Sequence, residues 1–313
     1  RDLDTSRGLG DVYKRQVSVG PLGESFLIAA GYHGSEFCGS QIQPEDVTVQ
    51  GEIQKAVQDL GWAHRGAVRV SSRTDSGVSA RMNLIDLQLD NELMQQLDAK
   101  VVMRALGDRI SSNLCLWGAI RRHSTIPVRV ASSRTYLYRL DMIPGWNPGV
   151  DPDKLERACR LFIGNHDFSA FSRPDQDRSP FRTVDDCRLW RRPDGYVIGL
   201  MISAESFLWN QVRKIASCLM RVSNDDVMPT EIEQALSSPD SARDFGRAPA
   251  DALVLWQIDH QDAPESWSSE LPSTAIIPLP RDAEPRAFQR WRNMALVEIR
   301  LMLELDWTNR VTQ

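Results

Sequence analysis

Ser71-Ser72-Arg73-Thr74-Asp75-Ser76-Gly77-Val78-Ser79-Ala80 lies between two stretches of alternating hydrophobicity. Ala67 to Ser71 leads in with a strand pattern. Met82 to Leu89 leads out, setting Leu84, Asp86 and Gln88 against Ile85, Leu87 and Leu89, as a half-buried strand does. Asp75 is thus carried on a loop between two strands. Taken alone, Asp-Ser-Gly is ordinary turn chemistry, because Asp and Gly both favour tight turns. What surrounds it has to decide whether the carboxylate does more.

Upstream, a strand is expected at Ser25 to Gly31, then a loop rich in Gly and Ser through Gln43-Pro44. Val49, Ile53, Ala56, Val57 and Leu60 recur at helical spacing, with Gly61 as the stop. Downstream, a helix spans Asn91 to Leu106 and a strand runs near Leu114 to Ile120. The second half repeats the style. A strand covers Arg134 to Leu140, and Asp151-Pro152 opens a helix with Leu155, Ala158 and Phe162 on one face. Tyr196 to Ala204 is a strand, Leu208 to Val222 an amphipathic helix, and Leu253 to Ile258 a last strand. The expected fold class is α+β, with two similar halves and mainly antiparallel sheets. Residues 17–122 and 123–263 form the halves, after a disordered tail or sequence scar at 1–16. Residues 264–313 read as a variable C-terminal extension, helical from Arg286 to Trp307.

Composition sets wide bounds. With 313 residues, 42% of them hydrophobic and 25% charged, the chain suits a soluble two-domain protein. No apolar run approaches the roughly 20 residues of a membrane helix, and no secretory leader is visible, so a cytoplasmic location is expected. The five cysteines are scattered without C-x-x-C spacing, which suggests buried thiols rather than a metal site or disulfides. A net charge of −5 leans against a nucleic-acid partner, but distribution matters more than the sum. Arg121, Arg122, Arg129, Arg134 and Arg139 fall within 20 residues that hold no acid. A basic face on an acidic body is therefore permitted.

The Asp75 block resembles the signature of the TruA family of tRNA pseudouridine synthases, and further blocks follow in family order. They are Gly31-Tyr32-His33-Gly34 through Gly39 with Gln41 and Gln43, Thr48 to Glu52, Arg134-Thr135-Tyr136-Leu137-Tyr138-Arg139, and Gly164-Asn165-His166-Asp167-Phe168-Ser169-Ala170-Phe171. Arg182-Thr183-Val184, Phe207-Leu208-Trp209-Asn210-Gln211-Val212-Arg213 and Ala248 to Leu255 complete the series. Departures are Ser40 in place of an aromatic, Ser72 for Gly, Ser79 for His and Gln211 for Met, a pattern similar to archaeal members.

The resemblance implies ferredoxin-like or RRM-like halves flanking a cleft. It also implies an isomerase acting on the tRNA anticodon arm at uridines 38 to 40, in a homodimer with one tRNA across both subunits. Pseudouridine formation breaks the N1–C1′ bond, turns the base and rejoins it through C5. No redox step or phosphate transfer occurs, so neither cofactor nor metal is expected. A carboxylate must stand beside sugar and base, as a nucleophile at C1′ or a base carbon, or as a base toward a sugar proton. By resemblance Asp75 is that carboxylate and Arg213 the cation that orients it. Tyr136 stacks on the target base, Arg73 fills the space of the extruded base, and Leu253 or Leu255 lines the pocket. Arg121, Arg122, Arg129 and Arg139 are phosphate contacts by charge, while His166 reads as structural. A related synthase acting at other uridines, or a non-catalytic RNA-binding protein of the same fold, are the alternatives. The joint presence of Asp75, Tyr136 and Arg213 favours the enzyme.

Overall fold

The computed structural model describes residues 23–62, 67–175, 178–239, 242–275, 277–280 and 283–312; the tail expected at 1–16 lies outside them. The first half runs β1 (Glu24–Tyr32), α1 (Val49–Asp59), β2 (Val68–Val70), β3 (Ser79–Leu87), α2 (Asn91–Gln96), α3 (Ala99–Gly107) and β4 (Leu114–His123). Thr48 caps α1 by accepting the Gly51 N–H, as Thr does well at a helix start. The expected single helix at Asn91 to Leu106 is two. Asp98 breaks it by taking the Val101 N–H onto its side chain, which starts α3 afresh.

The second half runs β5 (Ser133–Tyr138), α4 (Pro152–Arg160), β6 (Gly164–Asp167), β7 (Phe181–Arg191), β8 (Val197–Ala204), α5 (Gln211–Ser223), α6 (Pro229–Ser237) and β9 (Leu253–Asp259). Beyond it lies the 27-residue α7 (Pro285–Val311). The nine strands form one sheet in the order β4-β1-β3-β9-β5-β8-β7-β6, with β2 also on β3. Within each half the first, second, third and fourth core strands stand in the order 4-1-3-2: β4-β1-β3-β2, and β9-β5-β8-β7. That is the ferredoxin-like arrangement twice over. Among the described residues every pairing is antiparallel except one: β3 meets β9 in parallel through Ser79–Val254 and Ala80–Leu255.

This seam positions the site. One edge of β3 pairs with β1, while the other is shared by β9 at its start and β2 at its end. Between those two partners the chain of residues 71–78 is left to form a loop facing the second half.

β3 was expected to be half-buried, yet all nine of its residues are buried. The polar positions of its alternation are satisfied inside. The Arg81 guanidinium lies between the Trp117 and Trp256 rings, donates to the Trp256 and Trp267 carbonyls, and pairs with Asp306 at 3.2 Å. The residues after 264 thus close over the sheet instead of trailing from it. Trp307, 1% exposed, donates to the Arg81 carbonyl and seats its indole against Gly31, where a Cβ would fall 2.2 Å from the ring.

The cysteines are all free, with Cys159, Cys187 and Cys218 buried, Cys115 partly so and Cys38 exposed. Among the described residues no helix is long and apolar enough to cross a membrane.

Candidate active site

The Asp75 loop is held from behind by the first motif. Ser40, fully buried, accepts the Thr74 N–H on its hydroxyl at 2.8 Å, and that hydroxyl reaches the Ser72 carbonyl at 3.2 Å. Asn83 of β3 accepts the Ser72 N–H and donates back to the Ser72 carbonyl, while Tyr32 meets Thr74 hydroxyl to hydroxyl at 2.9 Å. Gly77 turns the chain with φ of 85°, a conformation that favours glycine. Two of the residues that set this sequence apart, Ser40 and Ser72, lie in this packing. A third, Ser79, accepts the Gly34 N–H at 3.0 Å.

Asp75 projects from the loop into a cleft of about 1040 Å³ lined by both halves. Its Oδ2 accepts from Arg213 at 2.9 Å and its Oδ1 from the Trp209 indole N–H at 3.1 Å. Arg213 is itself fixed, donating to the Ala248 carbonyl at 2.9 Å and to Asn210 Oδ1 at 3.2 Å. Asn210 precedes α5 in a left-handed conformation, which asparagine tolerates better than most residues.

Tyr136 of β5 lines the same cleft, its ring edge-on to Phe207 at 5.4 Å and its hydroxyl 3.4 Å from that of Ser72. Burial raises the Tyr136 pKa, so the ring stays a neutral platform at physiological pH. Arg134 staples the seam. It donates to the Ser71 carbonyl of the Asp75 loop and to the Arg129 and Glu205 carbonyls of the second half.

The residues expected at the site divide clearly. Asp75, Arg213, Tyr136, Arg73, Arg129 and Leu253 all line the cleft. Leu255 does not reach the lining: it is fully buried opposite Tyr136 in the β5–β9 ladder. The phosphate roles of Arg122 and Arg139 are corrected. Arg122, 6% exposed, is bound to Asp86 at 2.8 Å and Asp262 at 2.9 Å. Arg139, 1% exposed, grips Asp141 with two N–H groups at 2.8 Å and reaches Glu298 of α7 at 2.7 Å. Buried and neutralised by carboxylates, neither guanidinium is open to a phosphate. Arg121 is drawn away too, donating to the Met94 and Leu97 carbonyls. His166 bonds the Ile163 carbonyl within its own turn.

Sequence reasoning missed Trp209, Arg173 and Arg247. Arg247 lines the cleft, and the Arg173 guanidinium covers the Trp209 ring at 3.9 Å. Arg173 and Arg247 carried no periodicity or charge cluster to mark them. Among the described residues no group of three or more His, Cys, Asp or Glu side chains converges as metal ligands.

Residues 158–261 match a family model described as tRNA pseudouridine synthase. The tRNA pseudouridine synthase A of Pyrococcus furiosus is 32% identical over 233 residues, covering 74% of this chain and 82% of that protein. The chain belongs to the tRNA pseudouridine synthase A family. The Methanocorpusculum labreanum relative is 33% identical, covering 73% and 77%, and that of Rhizobium meliloti 32%, covering 75% and 99%. Pseudouridine synthases are isomerases, so membership in the tRNA pseudouridine synthase A family places the chain in that enzyme class. Among solved structures, a chain of a Cbf5-Nop10-Gar1 complex is similar with TM-score 0.35 and 12% identity, over 72% of this chain and 50% of that one.

Proposed function

We propose that the protein converts uridine to pseudouridine in the anticodon stem-loop of tRNA, at positions 38 to 40, with Asp75 as the catalytic carboxylate. The observation that carries this reading is the 2.9 Å pair of Asp75 and Arg213, drawn from motifs 138 residues apart and facing one cleft. The buried pair of Arg139 and Asp141 is closed off from solvent, whereas the Asp75 side chain keeps 31% of its surface open.

In the proposed cycle a uridine is extruded from the stacked arm and its base lies against Tyr136. Arg73, exposed beside Asp75, takes the vacated space, and Leu253 packs on the substrate's apolar surface. The Asp75 carboxylate then stands at the ribose–base joint. The N1–C1′ bond breaks, the base turns and C5 bonds to C1′. The C5 proton leaves and N1 gains a proton, so atoms balance without a further reactant. Arg213 holds the carboxylate in place while its charge is drawn on.

Arg73, Arg129, Arg173 and Arg247 are exposed, and among the described residues no carboxylate forms an ion pair with them, which suits them to phosphates. The functional units are taken as 17–122 and 123–263 with the 264–313 segment packed on both. We also take the protein to be a homodimer, as the motif resemblance implies, and to work in the cytoplasm; light scattering at working concentration checks the dimer.

Incubation with unmodified tRNA transcripts, followed by position-resolved mapping of pseudouridine, tests the assignment. Product confined to positions 38 to 40 supports it. Product at other uridines would move the substrate elsewhere, and binding without product would make the protein a binder.

A further inference from the structure

A carboxylate held by one donor can still rotate about its Cβ–Cγ bond. Arg213 contacts only Oδ2 of Asp75. The second oxygen is held by the Trp209 indole N–H at 3.1 Å. Donors on both oxygens fix the plane of the group, and each oxygen retains a lone pair for chemistry.

The situation of Trp209 is unusual for a tryptophan with only a packing role. Its side chain is 52% exposed, on the turn that delivers α5, yet its one polar atom points at Asp75 instead of outward to water. The ring is held by Arg173 from the segment between β6 and β7. The Arg173 guanidinium lies 3.9 Å from the ring centre, and its backbone N–H donates to the Trp209 carbonyl at 2.8 Å. A cation over an indole face is the favoured geometry of that interaction. Three elements distant in sequence thus meet in one chain of contacts: Arg173 on the indole, the indole on Oδ1, Arg213 on Oδ2.

We propose that Trp209 is a positioning residue for the reaction, fixing the rotamer of Asp75 through its N–H, with Arg173 holding the indole. The proposal rests on Asp75 being the catalytic carboxylate. Because about half of Trp209 is exposed and phenylalanine keeps a ring in place, that substitution costs little stability, and its effect falls on turnover.

Steady-state kinetics on a tRNA transcript test this with Trp209→Phe, which keeps the ring and removes the N–H. A hydrogen bond to a charged group of this kind is worth roughly 10- to 100-fold in rate when removed. The expected result is a fall in kcat of about that size, with KM within about twofold and the melting temperature unchanged. Trp209→His, which restores a ring N–H, recovers part of the loss. Arg173→Ala lowers kcat by only about two- to fivefold, the value of an exposed cation–π contact. Full kcat in Trp209→Phe overturns the proposal, and a loss confined to KM overturns it by making the indole an RNA contact. Asp75→Asn is run alongside. If it turns over, the assignment of Asp75 itself fails; if it is inactive while Trp209→Phe is fully active, only the role of Trp209 fails.

Discussion

At the scale of single residues, the proposed chemistry depends on few side chains, each held by several contacts. Arg213 shows this, since its guanidinium is shared among Asp75, Asn210 and the Ala248 carbonyl. Lysine has three donors on a single nitrogen and cannot replace a guanidinium that serves Ala248 from Nε and Asp75 and Asn210 from Nη1. Arg213→Lys is therefore expected to lower kcat at least tenfold while the protein remains folded, as measured by pseudouridine formation beside a melting curve. Gly77 makes a second case. Alanine there must adopt a left-handed φ, at about 1–2 kcal/mol, and its methyl would sit 3.4 Å from the Ala250 Cβ. Gly77→Ala should lower the melting temperature by a few degrees and displace Asp75, with turnover falling more than tRNA binding. Asp75, Arg213 and Tyr136 were legible in the sequence through the motifs that surround them. The burial of Arg122 and Arg139 was not: Asp86, Asp262 and Glu298 are remote in sequence, and Asp141, the near partner of Arg139, lies just past the acid-free stretch.

At the scale of elements, the strands and helices with clean periodicity were readable and the irregular ones were not. β7 was missed because Asp185, Asp186 and Arg188 interrupt its apolar pattern, and two register shifts break the alternation a strand needs. α7 was visible as a helix, but nothing local told that it docks on β3 and β4. Trp307 carries that docking, filling the space over Gly31. Trp307→Ala should cost about 3–5 kcal/mol by cavity formation, read as a lowered denaturation midpoint. The same contact gives a pH dependence. His33 lies tilted against Trp307 at 4.9 Å and bonds Glu304 at 2.7 Å, and its burial lowers the imidazole pKa despite that bond. The unfolded chain takes up this proton near pH 6.5, according to the ordinary value of about 6.5, while the folded chain does not. The unfolded state then binds more protons, so stability falls as pH drops below about 6.5. Asp141, raised to about 6 by burial, works in the opposite sense, so the comparison must be between proteins. Melting temperature should fall less between pH 7 and pH 5.5 in His33→Asn than in the parent.

At the scale of the whole molecule, two copies of one strand order meet at the β3–β9 seam, and the cleft opens where β3 changes partners. The repeated α+β style of the halves was legible from their patterning; the seam was not, because two residue pairs in parallel leave no periodic trace. The cleft also eases the tension between a net charge of −5 and an RNA substrate, since six arginines line it against three acids, Asp75, Asp175 and Glu205. Binding of tRNA should weaken with salt. Arg129→Ala and Arg247→Ala should each flatten the slope of log K against log salt by about one unit. Arg122→Ala and Arg139→Ala should destabilise the fold by about 3–5 kcal/mol, as stripping a buried ion pair does, without changing that slope. The central claim is that Asp75 performs uridine isomerisation in this cleft. Its most direct test is tritium release from tRNA transcripts labelled at uridine C5, because forming the C5–C1′ bond expels that hydrogen. The account predicts release by the parent protein and none by Asp75→Asn, which still binds tRNA. Release by Asp75→Asn at the parent's rate would contradict it.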